Sequence, residues 1–279
     1  ESLHARRKDV PDAKLVLVGH SMGGLVSRYY LECLDGWRDT RALITFGTPY
    51  RGSINAVDFL ANGFVKKLGP LKLIDLSKLL HSLTSVYQLR SVYPCIDLGD
   101  GYVRPAETAN RIEGLDESRA KAALKFHHDI RDATAAHDRS AYAIHSIVGI
   151  TQGTKQSARL DGGRIVLDEK GFDGEDRKGD GTVPRVSATP IETDDWGGYQ
   201  PMYSSDKHGS LQNDDAVRTQ LLGILTASST SAFKGDEVFD FGTLDDGASR
   251  SIEVVARGSA GEKRFQASVL LLTPKEVEF

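Results

Sequence analysis

The chain has 279 residues, 39% hydrophobic and 27% charged, an ordinary globular composition with apolar material for one sizeable core and a small extra unit. A formal net charge of -4 and a pI near 6.1 give no electrostatic basis for binding nucleic acid or an anionic membrane. No apolar run approaches the ~20 residues of a membrane-spanning helix, and two cysteines, Cys33 and Cys95, are too few for a disulfide framework.

The chain opens Glu1-Ser2-Leu3-His4, without an initiator methionine or the apolar core of a signal peptide. Residues 13–18, Ala-Lys-Leu-Val-Leu-Val, read as a short strand buried on both faces, as in a parallel sheet. Gly19-His20-Ser21-Met22-Gly23 follows, and then an amphipathic helix with apolar residues at 22, 25, 26, 29, 30, 33 and 34 and a stop at Gly36. Cys33 lies within that helix and reads as a buried free thiol. A second buried strand, Ala42–Phe46, ends in Gly47-Thr48-Pro49, which completes a strand–helix–strand unit.

Residues 54–80 read as an apolar helical stretch broken at Gly69-Pro70, and 97–101 as a loop. A charged amphipathic helix is expected over 115–137, so that 54–137 forms a helical cap. The 54–80 stretch is either a fixed pair of cap helices or a lid that uncovers a lipid-binding surface. A strand is expected over 142–150, a hairpin around Asp161-Gly162-Gly163, a strand near 200–204 and a helix over 212–226. Residues 1–227 are thus read as one α/β domain. Ser228–Ser231 reads as a linker, and 233–279 as a small β appendage with strand-like runs at 237–241, 251–256 and 264–272; no partner for it is legible.

Gly-x-Ser-x-Gly between a buried strand and an amphipathic helix is a nucleophile elbow. A serine hydroxyl attacks only when a base takes its proton and a turn holds its oxygen exposed. Glycines at 19 and 23 keep such a turn free of clashes. The Met22 backbone amide, in the first turn of the helix, is the expected oxyanion donor. The bland alternative is a tight structural turn in an unrelated fold.

Three segments in order, Val18-Gly19-His20-Ser21-Met22-Gly23-Gly24, Gly47-Thr48-Pro49-Tyr50-Arg51-Gly52-Ser53 and Gly179-Asp180-Gly181-Thr182-Val183-Pro184, resemble the lecithin–cholesterol acyltransferase-like branch of the α/β-hydrolases, over roughly residues 13–226. The resemblance implies acyl-ester chemistry, with lipid esters as one substrate class, and it makes Asp180 the triad acid and His208 the base. The residues support the same pair. This fold places nucleophile, acid and base in that chain order, and His208 is the sole histidine after Asp180. Asp173, Glu175 and Asp176 compete for the acid but sit in a charged stretch that reads as solvated. His20 adjoins the nucleophile on a turn whose neighbouring side chains diverge, so it is expected to pack or bond nearby. His127, His128 and His145 lie elsewhere, and no His-Glu-x-x-His-like spacing suggests a metal.

The expected protein is therefore a serine esterase or lipase with Ser21, Asp180 and His208 as catalytic residues and no cofactor. The alternatives are an acyltransferase using the same residues and a non-catalytic binding module. Strands are expected upstream of an elbow in this fold. The second oxyanion donor and any targeting signal are accordingly expected before Glu1, and residues 1–279 alone are expected to aggregate or be inactive.

Overall fold

The computed structural model describes residues 2–68, 71–108, 111–113, 115–195, 199–226, 250–258 and 261–269. A short helix α1 (Ser2–Arg6) leads to strand β1 (Leu15–His20), helix α2 (Met22–Cys33) and strand β2 (Thr40–Phe46). Helix α3 (Ile54–Asn62), a hairpin of β3 (Val65–Leu68) and β4 (Leu71–Asp75), and helices α4 (Ser77–Ser82) and α5 (Thr84–Gln88) follow. Two-residue strands β5 (Ile96–Asp97) and β6 (Tyr102–Val103) precede the long helix α6 (Glu117–Ala133). Then come β7 (Ala143–Gly149), the hairpin β8 (Ser157–Asp161) and β9 (Arg164–Asp168), β10 (Met202–Ser204) and helix α7 (Asp215–Thr226). Last, β11 (Arg250–Gly258) pairs antiparallel with β12 (Gly261–Val269).

The central sheet has the order β1-β2-β7-β10, and every pair in it is parallel. Side chains alternate across a strand, and β2 uses both faces. Leu43 packs with Leu31 and Tyr142. Ile44 and Phe46 pack with Ile147, Leu211, Val217 and Leu221. Helices α2 and α7 thus cover opposite faces, and a continuous apolar run suits a strand covered twice. Each such Leu or Ile contributes about 1.5–3 kcal/mol on burial. β1 departs from its expected burial: among the described residues it pairs with β2 alone, and of its residues only Gly19 is fully buried.

A second sheet, β6-β5-β8-β9, packs its Ile96, Ala158 and Ile165 against Ile54 and Val57 of α3. The cap region therefore contains strands as well as helices, and 54–80 is not one broken helix. The helix expected there stops at Asn62, where Gly63 takes φ +75°. The Asn62 amide bonds the Ile165 carbonyl at 2.8 Å, which ties that end of α3 to β9. Apolar spacing in 64–75 serves a hairpin instead; its Gly69-Pro70 lies outside the described residues. α6 ends four residues before the expected 137, in a 3-10 turn over Thr134–Ala136. The last helix starts at Asp215, because a 3-10 turn occupies His208–Asn213. Ser228–Ser231 and 237–241 also lie outside the described residues.

The inward face of α2 departs furthest from its sequence pattern. Gly23, Gly24, Leu25, Arg28, Leu31 and Glu32 are buried, while Val26, Tyr29 and Leu34 are exposed and Cys33 is only half-buried. Arg28 is 1% exposed and lies 2.6 Å from Glu32 Oε1; it also contacts Tyr142 and the Glu192 carboxylate. His137 Nε2 is 2.8 Å from Glu32 Oε2 and stacks on Trp37. A buried guanidinium is tolerated only when paired in this way.

Candidate active site

Loops beyond the C-terminal ends of a parallel sheet are where such folds bind ligands, and here they carry Ser21, Asp180 and His208. Ser21 holds φ +51° and ψ -127°, a conformation that strains any residue with a β-carbon. Its backbone N–H donates to the Phe46 carbonyl at 2.9 Å, and its own carbonyl accepts from Gly24 N at 3.1 Å. The turn is possible because helix and strand nearly touch: a β-carbon on Gly19 would lie 2.7 Å from Gly24 N, and one on Gly24 only 2.0 Å from Thr48 Oγ1. The steric need expected at Gly19 is thus present, and Gly24 shares it. The Met22 amide sits in the first turn of α2, where helix geometry leaves N–H groups without intrahelical partners and concentrates positive potential.

Asp180 is 1% exposed and fully engaged. Its Oδ1 accepts from Thr182 N at 2.8 Å and Val183 N at 2.7 Å, and its Oδ2 accepts from His208 Nδ1 at 2.8 Å. Its carbonyl accepts from the His208 backbone N–H at 2.8 Å. Gly179 bridges to Gln152 and Pro184, and the N–H of Gly181 donates to Thr154 Oγ1. The turn around Asp180 is thereby anchored to the segment after β7. A β-carbon on Gly149, the last residue of β7, would lie 2.4 Å from Asp180 Cβ.

His208 opens the 3-10 turn over His208–Asn213, after β10. Its ring is 4.7 Å, centroid to centroid, from that of His20. The Ser21 hydroxyl makes no hydrogen bond to His208 among the described residues. The two are joined through their neighbours. Ser21 binds the carbonyl of Phe46, and the next residue, Gly47, lies against Asp180 Oδ2 and His208 Nδ1. Residues from four strand ends therefore meet along one edge.

The competing acids stand apart. Asp173 pairs with exposed Arg177, Asp176 pairs with Lys178, and Glu175 is exposed. His127 is buried and bonds the Gln88 carbonyl, and His145 lies half-buried within β7. Cys95 is fully buried, which pushes its thiol up to about 12. Burial also raises the Cys33 thiol, with Asp129 and Glu32 adding to the effect. Among the described residues no group of three or more His, Cys, Asp or Glu is arranged to hold a metal ion. Sequence reasoning did not identify the roles of Gly47 and Gly149. The one available signal was a glycine at the end of each apolar strand.

Residues 3–104 match the family described as lecithin:cholesterol acyltransferase. The match takes in the Ser21 elbow and Gly47-Thr48-Pro49. No curated protein sequence matches. Among solved structures, the chain is similar to one in the crystal structure of the Tle4-Tli4 complex, at 15% identity and a TM-score of 0.55, covering 83% of this chain and 64% of that one. It thus spans less than two thirds of that protein. A second similar structure is the mature Bacillus licheniformis lipase BlEst2, at 16% identity and a TM-score of 0.42, covering 80% of this chain and 69% of that one. Two of the three motifs therefore lie within the family match over residues 3–104 and Gly179–Pro184 lies beyond it, while the fold is that of an α/β-hydrolase.

Proposed function

We propose that the protein is a serine hydrolase of carboxylic esters, lipid esters included, with Ser21 as nucleophile, His208 as base and Asp180 as the residue that orients the base. The observation that carries this reading is the 2.8 Å bond from His208 Nδ1 to a buried carboxylate, beside a serine held at φ +51° on a strand-to-helix turn. A carboxylate on Nδ1 leaves Nε2 as the basic nitrogen.

Ser21 Oγ attacks the ester carbonyl carbon while its proton passes to His208 Nε2, and the carbonyl oxygen becomes an oxyanion. The Met22 N–H donates to that oxygen, a contribution that for one such donor is worth about 10²–10³ in rate. The C–O bond to the alcohol then breaks, and the alcohol leaves with the proton held on Nε2. Water, deprotonated by the same nitrogen, attacks the acyl-serine; the acid departs and Ser21 regains its proton. Asp180 stays ionised and stabilises the imidazolium.

A second reading is favoured by the description of the matched family: an alcohol replaces water and the acyl group is transferred. Both readings use the same residues. We read residues 1–227 as the catalytic unit and β11–β12 as belonging to an appended one.

A fluorophosphonate probe on the full-length protein tests the chemistry. Labelling that disappears in Ser21→Ala is expected, and absence of labelling in the wild type overturns the reading. Partition of a labelled acyl group between water and added alcohols separates hydrolysis from transfer.

A further inference from the structure

We infer that His20 is a positioning residue for His208, tying the turn that carries the nucleophile to the segment that carries the base. The inference rests on the reading of Ser21 and His208 given above. β1 and β10 are the outer strands of the central sheet as described, three strand spacings apart, roughly 14 Å. His208 leaves the sheet beyond β10 and yet contacts Gly47 at the end of β2 and His20 at the end of β1. The segment between β10 and His208 therefore folds back across the strand ends, and something must hold it there.

Asp180 holds one side of it, through the His208 backbone N–H and ring Nδ1. His20 holds the other. Its Nε2 lies 2.9 Å from the His208 carbonyl oxygen. A carbonyl can only accept, so the proton is on His20 Nε2 and the imidazole is the donor. The two rings also pack together, tilted by 48°. The main chain of the base is thus held at both its N–H and its C=O, which fixes the point about which the ring turns and the direction of Nε2. Because His20 is bonded directly to Ser21, the same contact sets the base relative to the nucleophile. Misplacement of a catalytic group by about 1 Å costs on the order of 10²-fold in rate, so the loss of this tie should act on the chemical step and leave substrate binding alone.

Two near-isosteric variants of the full-length protein isolate the donor. H20Q keeps an N–H near the position of Nε2, and H20M replaces it with an apolar chain of similar length. With p-nitrophenyl butyrate, H20M is expected to lose about 10- to 100-fold in kcat with KM within twofold of wild type, and its fluorophosphonate labelling rate should fall in parallel. H20Q is expected to recover to within about threefold of wild type. The downfield His208 Nδ1–H proton resonance, a readout independent of turnover, should persist in H20Q and broaden through solvent exchange in H20M. Labelling of H20M at the wild-type rate overturns the proposal, as does equal impairment of H20Q and H20M with matching melting midpoints. A wild type that never labels overturns the hydrolase reading instead, and the proton resonance still tests the tie.

Discussion

The α-carbon of Gly47 stands against the carboxylate of Asp180: a β-carbon there would lie 2.5 Å from Oδ2, and 2.9 Å from His208 Nδ1. Gly47 also takes φ +54°, where a side chain adds strain. Gly47→Ala is expected to force the Asp180–His208 pair out of alignment and to lower kcat with an ester substrate by about 10²-fold or more. The strained backbone should cost about 1–3 kcal/mol of stability. Steady-state kinetics and urea unfolding of the variant check both; activity within twofold of wild type contradicts the placement.

Asp180→Asn tests orientation without changing shape. The amides of Thr182 and Val183 donate to Oδ1, so the Asn oxygen would take that place and its NH₂ would face His208 Nδ1. The imidazole is then driven to the tautomer with its proton on Nε2, which cannot accept from Ser21. A fall in kcat of about 10⁴-fold with a near-normal melting midpoint is expected. A drop of less than tenfold would remove Asp180 from the role.

Arg28 should matter for stability. Arg28→Met leaves Glu32 and Glu192 with buried carboxylates and no guanidinium between them. Breaking a buried pair in this way costs about 3–5 kcal/mol. Lys121→Ala, which removes the exposed partner of Glu117, should change stability by no more than about 0.5 kcal/mol. Urea midpoints of the two variants measured side by side decide it.

His127 gives the fold a pH dependence of defined sign. Burial holds its imidazole below the ordinary histidine range, although its bond to the Gln88 carbonyl opposes the shift. The unfolded chain therefore takes up a proton first as pH falls. Stability is complete above the ordinary value of about 6.5 and declines as pH drops from there through the lower folded value. His145 shifts in the same direction through burial. The urea midpoint should be lower at pH 5 than at pH 7.5, and the difference should shrink in His127→Gln. A midpoint that rises on acidification contradicts the assignment.

Local pattern carried much of the architecture. Apolar runs marked the long strands β2 and β7, because strands covered on both faces are apolar over most of their length, with Thr45 and Ser146 as buried exceptions. Glycines marked the tight turn around Ser21, because only a residue without a β-carbon lets strand and helix approach so closely. Periodicity failed where two solutions share one composition. Residues 64–75 are apolar enough for a helix and form a hairpin, since Gly63 ends α3 and the chain then pairs with itself. β5 and β6 were illegible because two-residue strands have no period to detect.

The sequence by itself determined the elbow at Ser21, the order of Ser21, Asp180 and His208 along the chain, and the α/β character of the fold. The first and last follow from local pattern, and the order from the chain as a whole. Tertiary structure alone decided which face of α2 turns inward. Arg28 and Glu32 are buried because Tyr142, His137 and Glu192, more than a hundred residues away, complete their hydrogen bonds. It also decided that Asp180 meets His208 while Asp173 and Asp176 remain with Arg177 and Lys178, and that His20 reaches the His208 carbonyl. A side chain's charge and hydrogen-bonding capacity are local properties. Whether that capacity is met by water or by a distant residue depends on which strand ends the sheet order brings together.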